Sequence, residues 1–237
     1  FDDIAFGVAV DPTCPGEVLQ RIAGIEGEAL GWDINAGVSY AKSEATDEFT
    51  GGYLHRSNLQ TALNEGRINP FGPARPGDTP WESFVINGET NTASLESTTE
   101  DFTISRPIFE LPAGDVGFAF GGSFTTQDWE AKVNSEIVAQ VPGSGIDPSK
   151  PISKGDRDIT AFFTEFQIPI LPSLEAQIAA RYDDYSDFGD TFNPKVGLRW
   201  EPMKEVMFRA SYSTGFRAPS LYEINAPISE TWTGAKY

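Results

Sequence analysis

The chain reads as all-β, an antiparallel up-and-down transmembrane β-barrel. Three observations predict this. Apolar and polar residues alternate with period two in stretch after stretch, which puts successive side chains on opposite faces of a strand. The connections between these stretches are alternately short and long. The apolar side of the stretches carries no charge, while the other side is polar or small.

Composition agrees. The 237 residues include 17 Phe, 7 Tyr, 5 Trp, 23 Gly and 17 Pro, a balance that favours short strands joined by turns over helices. The net charge of −18 argues against nucleic acid, which needs a basic face, and against adhesion to an anionic membrane surface. No apolar run approaches the ~20 residues of a spanning helix, but a barrel strand needs only ~10 with every second one apolar. The opening Phe-Asp-Asp-Ile has neither the basic residues nor the apolar run of a signal peptide, and the abrupt start suggests a fragment.

Taken in order, residues 1–11 form a strand followed by a Pro/Cys/Pro/Gly turn at 12–16. A weakly alternating strand at 18–26 leads through a turn at 27–31 into a clear one. There Trp32, Ile34, Ala36, Val38 and Tyr40 face one way, and Asp33, Asn35, Gly37 and Ser39 the other. Residues 43–98 read as a long irregular loop. Within it Ser57–Gly66 has the marks of a short helix, capped by Ser57 and ended by Gly66.

A strand at 100–110 follows, with Pro107 at an irregular position. After a tight turn at 111–115, Val116, Phe118, Phe120 and Phe124 alternate with Gly117, Ala119, Gly121 and Ser123. A second long polar loop spans 129–157. Strands at 158–168 and 174–183 flank a short turn at 169–173, and a turn at 185–190 leads to the return strand 195–200. The short turn at 201–205 introduces the stretch Phe208–Glu223, a strand ended by a bend between Gly215 and Pro219.

Antiparallel order then places the short turns at 27–31, 111–115, 169–173 and 201–205 on one rim, and the loops 43–98 and 129–157 on the other. The turn at 185–190 is the exception. Short periplasmic turns and long extracellular loops are the layout of an outer-membrane barrel. The inward set includes Glu175, Arg181, Arg199 and Arg209, which would cost roughly 2–4 kcal/mol each at the mid-membrane lipid face and so belong on a wet lumen. A soluble β-sandwich accounts for the alternation but not for the asymmetry of the connections.

Catalytic and metal chemistry find little support. One Cys and one His fall short of a zinc set. A Cys14–His55 nucleophilic pair is possible in residue type only. Asp183, Asp184, Asp187 and Asp190 fail the EF-hand pattern, and Glu44, Asp47 and Glu48 have no apolar pocket to raise a pKa. Neither an enzyme nor a bound cofactor is expected. Aromatic residues in the long loops, Tyr53, Trp81, Phe84 and Trp129, are candidates for ligand contact by stacking.

Several stretches resemble the TonB-dependent outer-membrane receptors. Thr214-Gly-Phe-Arg-Ala-Pro-Ser-Leu221 followed by Glu223 is similar to a signature of that family's barrel. Ile168-Pro-Ile-Leu, Ala180–Gly189 and Pro194–Trp200 resemble the strand–loop–strand block that precedes it, and Asn69-Pro-Phe-Gly72 and Trp32-Asp-Ile-Asn are weaker echoes. The resemblance implies a 22-stranded barrel closed by an N-terminal plug, in the outer membrane of a Gram-negative bacterium. It implies active uptake of a ferric siderophore, cobalamin or saccharide, driven by TonB–ExbB–ExbD through the plug. Residues 1–237 would be an interior part of the barrel, without plug, TonB box or terminal strand. Arg181, Arg199, Arg209 and Arg217 become candidates for facing lumen and plug. A secreted β-sandwich that binds carbohydrate and a passive porin are the competing readings.

Overall fold

The computed structural model describes residues 3–9, 18–141 and 145–226, the first seven as backbone only. The turn expected at 12–16, with Cys14, lies outside the described residues. Nine strands form one antiparallel sheet in sequence order: β1 (Asp3–Ala9), β2 (Val18–Ala29), β3 (Trp32–Phe49), β4 (Gly88–Leu111), β5 (Gly114–Val133), β6 (Ile152–Leu171), β7 (Leu174–Tyr185), β8 (Gly189–Met203) and β9 (Val206–Ser213). Among the described residues no second sheet packs on this one, so the sandwich reading fails.

The four short connections tighten to two residues each: Leu30–Gly31, Pro112–Ala113, Pro172–Ser173 and Lys204–Glu205. A two-residue turn whose residues both have positive φ matches the twist of the strands it joins. At the first of the four connections Leu30 adopts φ 55° and Gly31 φ 72°, the left-handed pair that such a turn requires.

Register fixes the faces. Phe118, Phe166, Ile178, Val196 and Tyr212 lie side by side across β5 to β9, and Ala36, Phe102, Gly122, Phe162, Tyr182 and Phe192 do so two levels higher. Many of these residues stand well exposed on the wall: Ile178 46%, Val196 49%, Tyr212 73%. An apolar band this broad needs a non-aqueous neighbour. Aromatics bound it. Trp200 stacks on Phe208 at 5.6 Å near the short turns, and Trp32 sits beneath the Arg106 guanidinium at 5.0 Å. That cation ends the band where headgroups begin. Trp32 to Tyr40 spans about 27 Å of strand, the length of a tilted barrel span.

The strands are longer than expected, and both long loops correspondingly shorter. The irregular region is 50–87 rather than 43–98, and 134–151 rather than 129–157. The physical reason is visible on the outer face. Above Tyr40 it changes to Lys42, Glu96, Asp128 and Asp156, in register across the wall, with Glu44 and Asp184 on the same face. Here both faces meet water, and the period-two contrast disappears while the ladder continues.

The helix in the first loop also starts earlier. It is α1 (Arg56–Asn64), capped by His55, whose Nδ1 accepts from the Asn58 backbone N–H at 3.5 Å. Ser57, expected as the cap, instead directs its hydroxyl to Gln140 Oε1 at 3.3 Å.

Candidate functional site

Three regions of the inner face and the extracellular rim carry side chains able to meet a ligand or a lumenal partner. The first is the loop 50–87. It is a folded unit with its own core of Ala62, Ile68 and Phe84, against which Leu54, Leu59 and Leu63 pack. Backbone bonds tie it together, His55 N–H to Phe84 O at 2.8 Å and Thr79 N–H to Arg67 O at 2.7 Å. It leans on the second loop through Arg56 N–H to Gln140 O at 3.1 Å. The short helix α2 (Ser135–Val138) of that second loop is capped by Asn134.

At the tip of the first loop, Asn69 Oδ1 accepts from the Phe71 N–H and its Nδ2 donates to Pro73 O. The turn holds Phe71 out at 96% exposure. Nearby the Arg75 backbone N–H bonds Asp78 and keeps its carboxyl below the usual range.

The structure separates the four aromatic candidates. Tyr53 is 41% exposed and stacked on Phe49 at 4.0 Å, and Trp81, in a 3₁₀ turn at Trp81–Phe84, is also 41% exposed. Phe84 is buried in the loop core, because its place in that turn points it at α1. Trp129 is buried as well, and it belongs to β5 rather than to a loop. It faces inward and is covered from the lumen side.

The cover is the second region. After β9 the chain leaves its neighbour at Pro194 and turns onto the inner face. Residues 214–220 run to a short helix, α3 (Leu221–Asn225). Leu221 is buried against Trp129 and Ala131, and Tyr222 meets Trp129 edge-on at 5.9 Å. Ser220 and Glu223 form a capping box, and Arg217 Nη2 reaches both Glu223 oxygens at 2.8 Å. Phe216 packs on Phe188 at 5.5 Å. Arg157, only 4% exposed, lies against Phe188 at 5.2 Å and Tyr185 at 5.8 Å, with Nε and Nη2 on the Asp187 carboxylate at 2.9 and 2.6 Å. The Arg157–Asp187 pair was not legible in the sequence, since Arg157 lies on β6 and Asp187 in the β7–β8 turn, 30 residues apart with nothing local to link them.

The third region is the lower inner wall. Glu175, Gln177, Lys195, Arg199, Arg209 and Ser211 line a hollow of about 370 Å³. Arg199 is paired with Glu201 and, at 3.9 Å, with Glu175. Arg209 stands directly across from Arg199 on β9, and among the described residues its Nε donates only to the Met207 thioether. Higher up, Arg181 pairs with Asp183 at 2.7 Å. Three of the four arginine candidates thus line the inner wall of the sheet, and Arg217 lies on the segment that crosses it. Among the described residues no group of His, Cys, Asp and Glu is arranged to hold a metal ion.

The family model described as TonB dependent receptor-like, beta-barrel, matches residues 18–235. The chain belongs to this family. As a TonB-dependent receptor barrel it is an outer-membrane protein. It is 23% identical over 176 residues to an iron-regulated outer membrane virulence protein of Vibrio cholerae, covering 71% of this chain and 24% of that protein. The siderophore receptor PirA of Acinetobacter baumannii has a similar fold, with TM-score 0.60, 14% identity, and 87% of this chain against 26% of that one. A mutant of the ferric enterobactin receptor PfeA of Pseudomonas aeruginosa gives TM-score 0.59 at 18% identity, over 89% and 27% of the two chains. The receptor barrel described here therefore spans about a quarter of the length of these relatives.

Proposed function

We propose that this chain is the wall and part of the mouth of an active importer that captures a ferric siderophore outside the cell and passes it through the lumen. The observation that carries this reading is the division of one sheet into a lipid-facing apolar band and a polar inner wall, topped by folded loops. The named relatives are siderophore receptors or iron-regulated proteins, which favours a ferric siderophore over cobalamin or a saccharide. In this reading Tyr53 and Trp81 offer exposed rings to the ligand. Arg181, Arg199 and Arg209 face a plug outside these 237 residues, and TonB–ExbB–ExbD supplies the energy through that plug. The barrel closes with 22 strands. No step is catalytic.

Uptake decides it. The full-length gene is expressed in an iron-starved strain lacking its own receptors, and radiolabelled ferric enterobactin and a ferric hydroxamate are offered. Accumulation that disappears when tonB is deleted is expected. Influx that persists without TonB would make the protein a passive porin, and no accumulation of any ferric complex would sink the siderophore reading.

A further inference from the structure

The segment 214–226 is attached to the inner face at three separate places. Phe216 lies on Phe188 and at 6.4 Å from Tyr185, at the β7–β8 turn. Leu221 is 4% exposed in its seat on β5. Asn225 lies over Gly155 of β6 so closely that a Cβ at Gly155 would stand 2.1 Å from its Nδ2. Its Nδ2 meanwhile donates to Leu221 O at 2.9 Å, which closes α3 on itself. Four strand spacings separate β9 from β5, about 19 Å. The seven residues 214–220 join the end of β9 to α3 with no regular element between them.

We infer that residues 214–226 are a fixed strap, seated by Leu221 on Trp129 and by Asn225 on Gly155, that permanently narrows the outer mouth of the lumen. Each attachment point is supported by its own packing, and the capping box and the Arg217–Glu223 fork make the helical end rigid without help from a ligand. The strap therefore does not swing during a cycle. Solutes pass beside it, and its width sets which of them reach the lumen. This last consequence rests on the transport reading, but the fixed seat does not.

The test uses the intact receptor in native outer membranes. In a Cys14→Ser background, the pair Gly155→Cys and Asn225→Cys should form a disulfide on mild oxidation. Uptake of the ferric complex used above should be equal in oxidised and reduced cells. Leu221→Ala, which empties the seat, should speed trypsin cleavage after the exposed Arg217 about tenfold or more. Heat-modifiable migration on gels confirms that each variant has a folded barrel. A folded double-cysteine variant that does not cross-link would overturn the proposal, as would an unchanged cleavage rate in Leu221→Ala. A lock that stops uptake would make the strap a moving lid instead. If the parent imports no ferric complex, the transport reading falls alone, and cross-linking and cleavage still judge the strap.

Discussion

The wall has a tall side and a low side. Strands β3 to β6 run 18, 24, 20 and 20 residues, whereas β7, β8 and β9 run 12, 15 and 8. The tall strands rise past the apolar band and carry the folded loops 50–87 and 134–151. The low ones end in the turn 186–188, and over them the strap crosses from β9. The same antiparallel ladder is used in both places. Where the loops need a platform, polar strand continues into water, and where the wall is low, a separate segment leans inward and is fastened to the tall side. Height and cover are complementary, and Trp129, high on a tall strand, is where the two meet.

That contrast can be broken from either side. The largest effect is expected at Arg157, the charge buried under the strap. Asp187→Ala leaves it without its carboxylate and should cost about 3–5 kcal/mol, read as a lowered unfolding temperature of the detergent-solubilised barrel. A similar cost, about 3–5 kcal/mol, is expected for Phe84→Ala, but confined to the loop. New protease sites should appear between 50 and 87 while heat-modifiable migration stays normal. Global unfolding of that variant would show that the loop unit is not independent of the wall.

Charges sharpen the comparison of heights. Ile178→Lys, within the apolar band, should cost roughly 2–4 kcal/mol and Leu198→Glu less, and both should reduce assembly in the outer membrane. The same lysine at Thr98, across from Tyr40 where the outer face turns polar, should assemble normally. Equal assembly of the two would contradict the assigned faces.

Acid should act last and least. The Glu223 carboxyl is held below its ordinary value of 4.5, first by the Ser220 backbone N–H and then by the Ser220 hydroxyl and Arg217. Its folded pKa is depressed, so its contribution is complete above that ordinary value and is lost as pH falls below it. Amide hydrogen exchange in residues 214–226, corrected for its intrinsic pH dependence, should therefore rise as pH falls from 5 toward 3, unless the seat alone holds the strap.

Much of the lower wall could be read from the chain. Trp32–Tyr40, Leu174–Tyr182 and Val196–Trp200 alternate because lipid and water face them on opposite sides. The upper wall could not. From Glu89 to Thr99 the chain is rich in Thr, Ser and Glu on both faces, which composition alone does not separate from loop. The seat of the strap was hidden for another reason. Leu221 and Trp129 meet only because β9 is placed four strands from β5, and no local pattern announces that contact. Trp129 and Phe84 looked like ligand aromatics because an aromatic in polar surroundings is equally suited to either use.

Each descending strand β4, β6 and β8 carries one extra residue just above its short turn, at Pro107/Phe109, Pro169/Leu171 and Trp200/Met203. Proline has no N–H to give the ladder, and a bulge re-aims the residues after it. Three such marks at one level work like a tailor's notches. Each mark fixes how the two arms of its own hairpin align, so an error of one residue would be felt as a mismatch at the rim before the hairpins were sewn together.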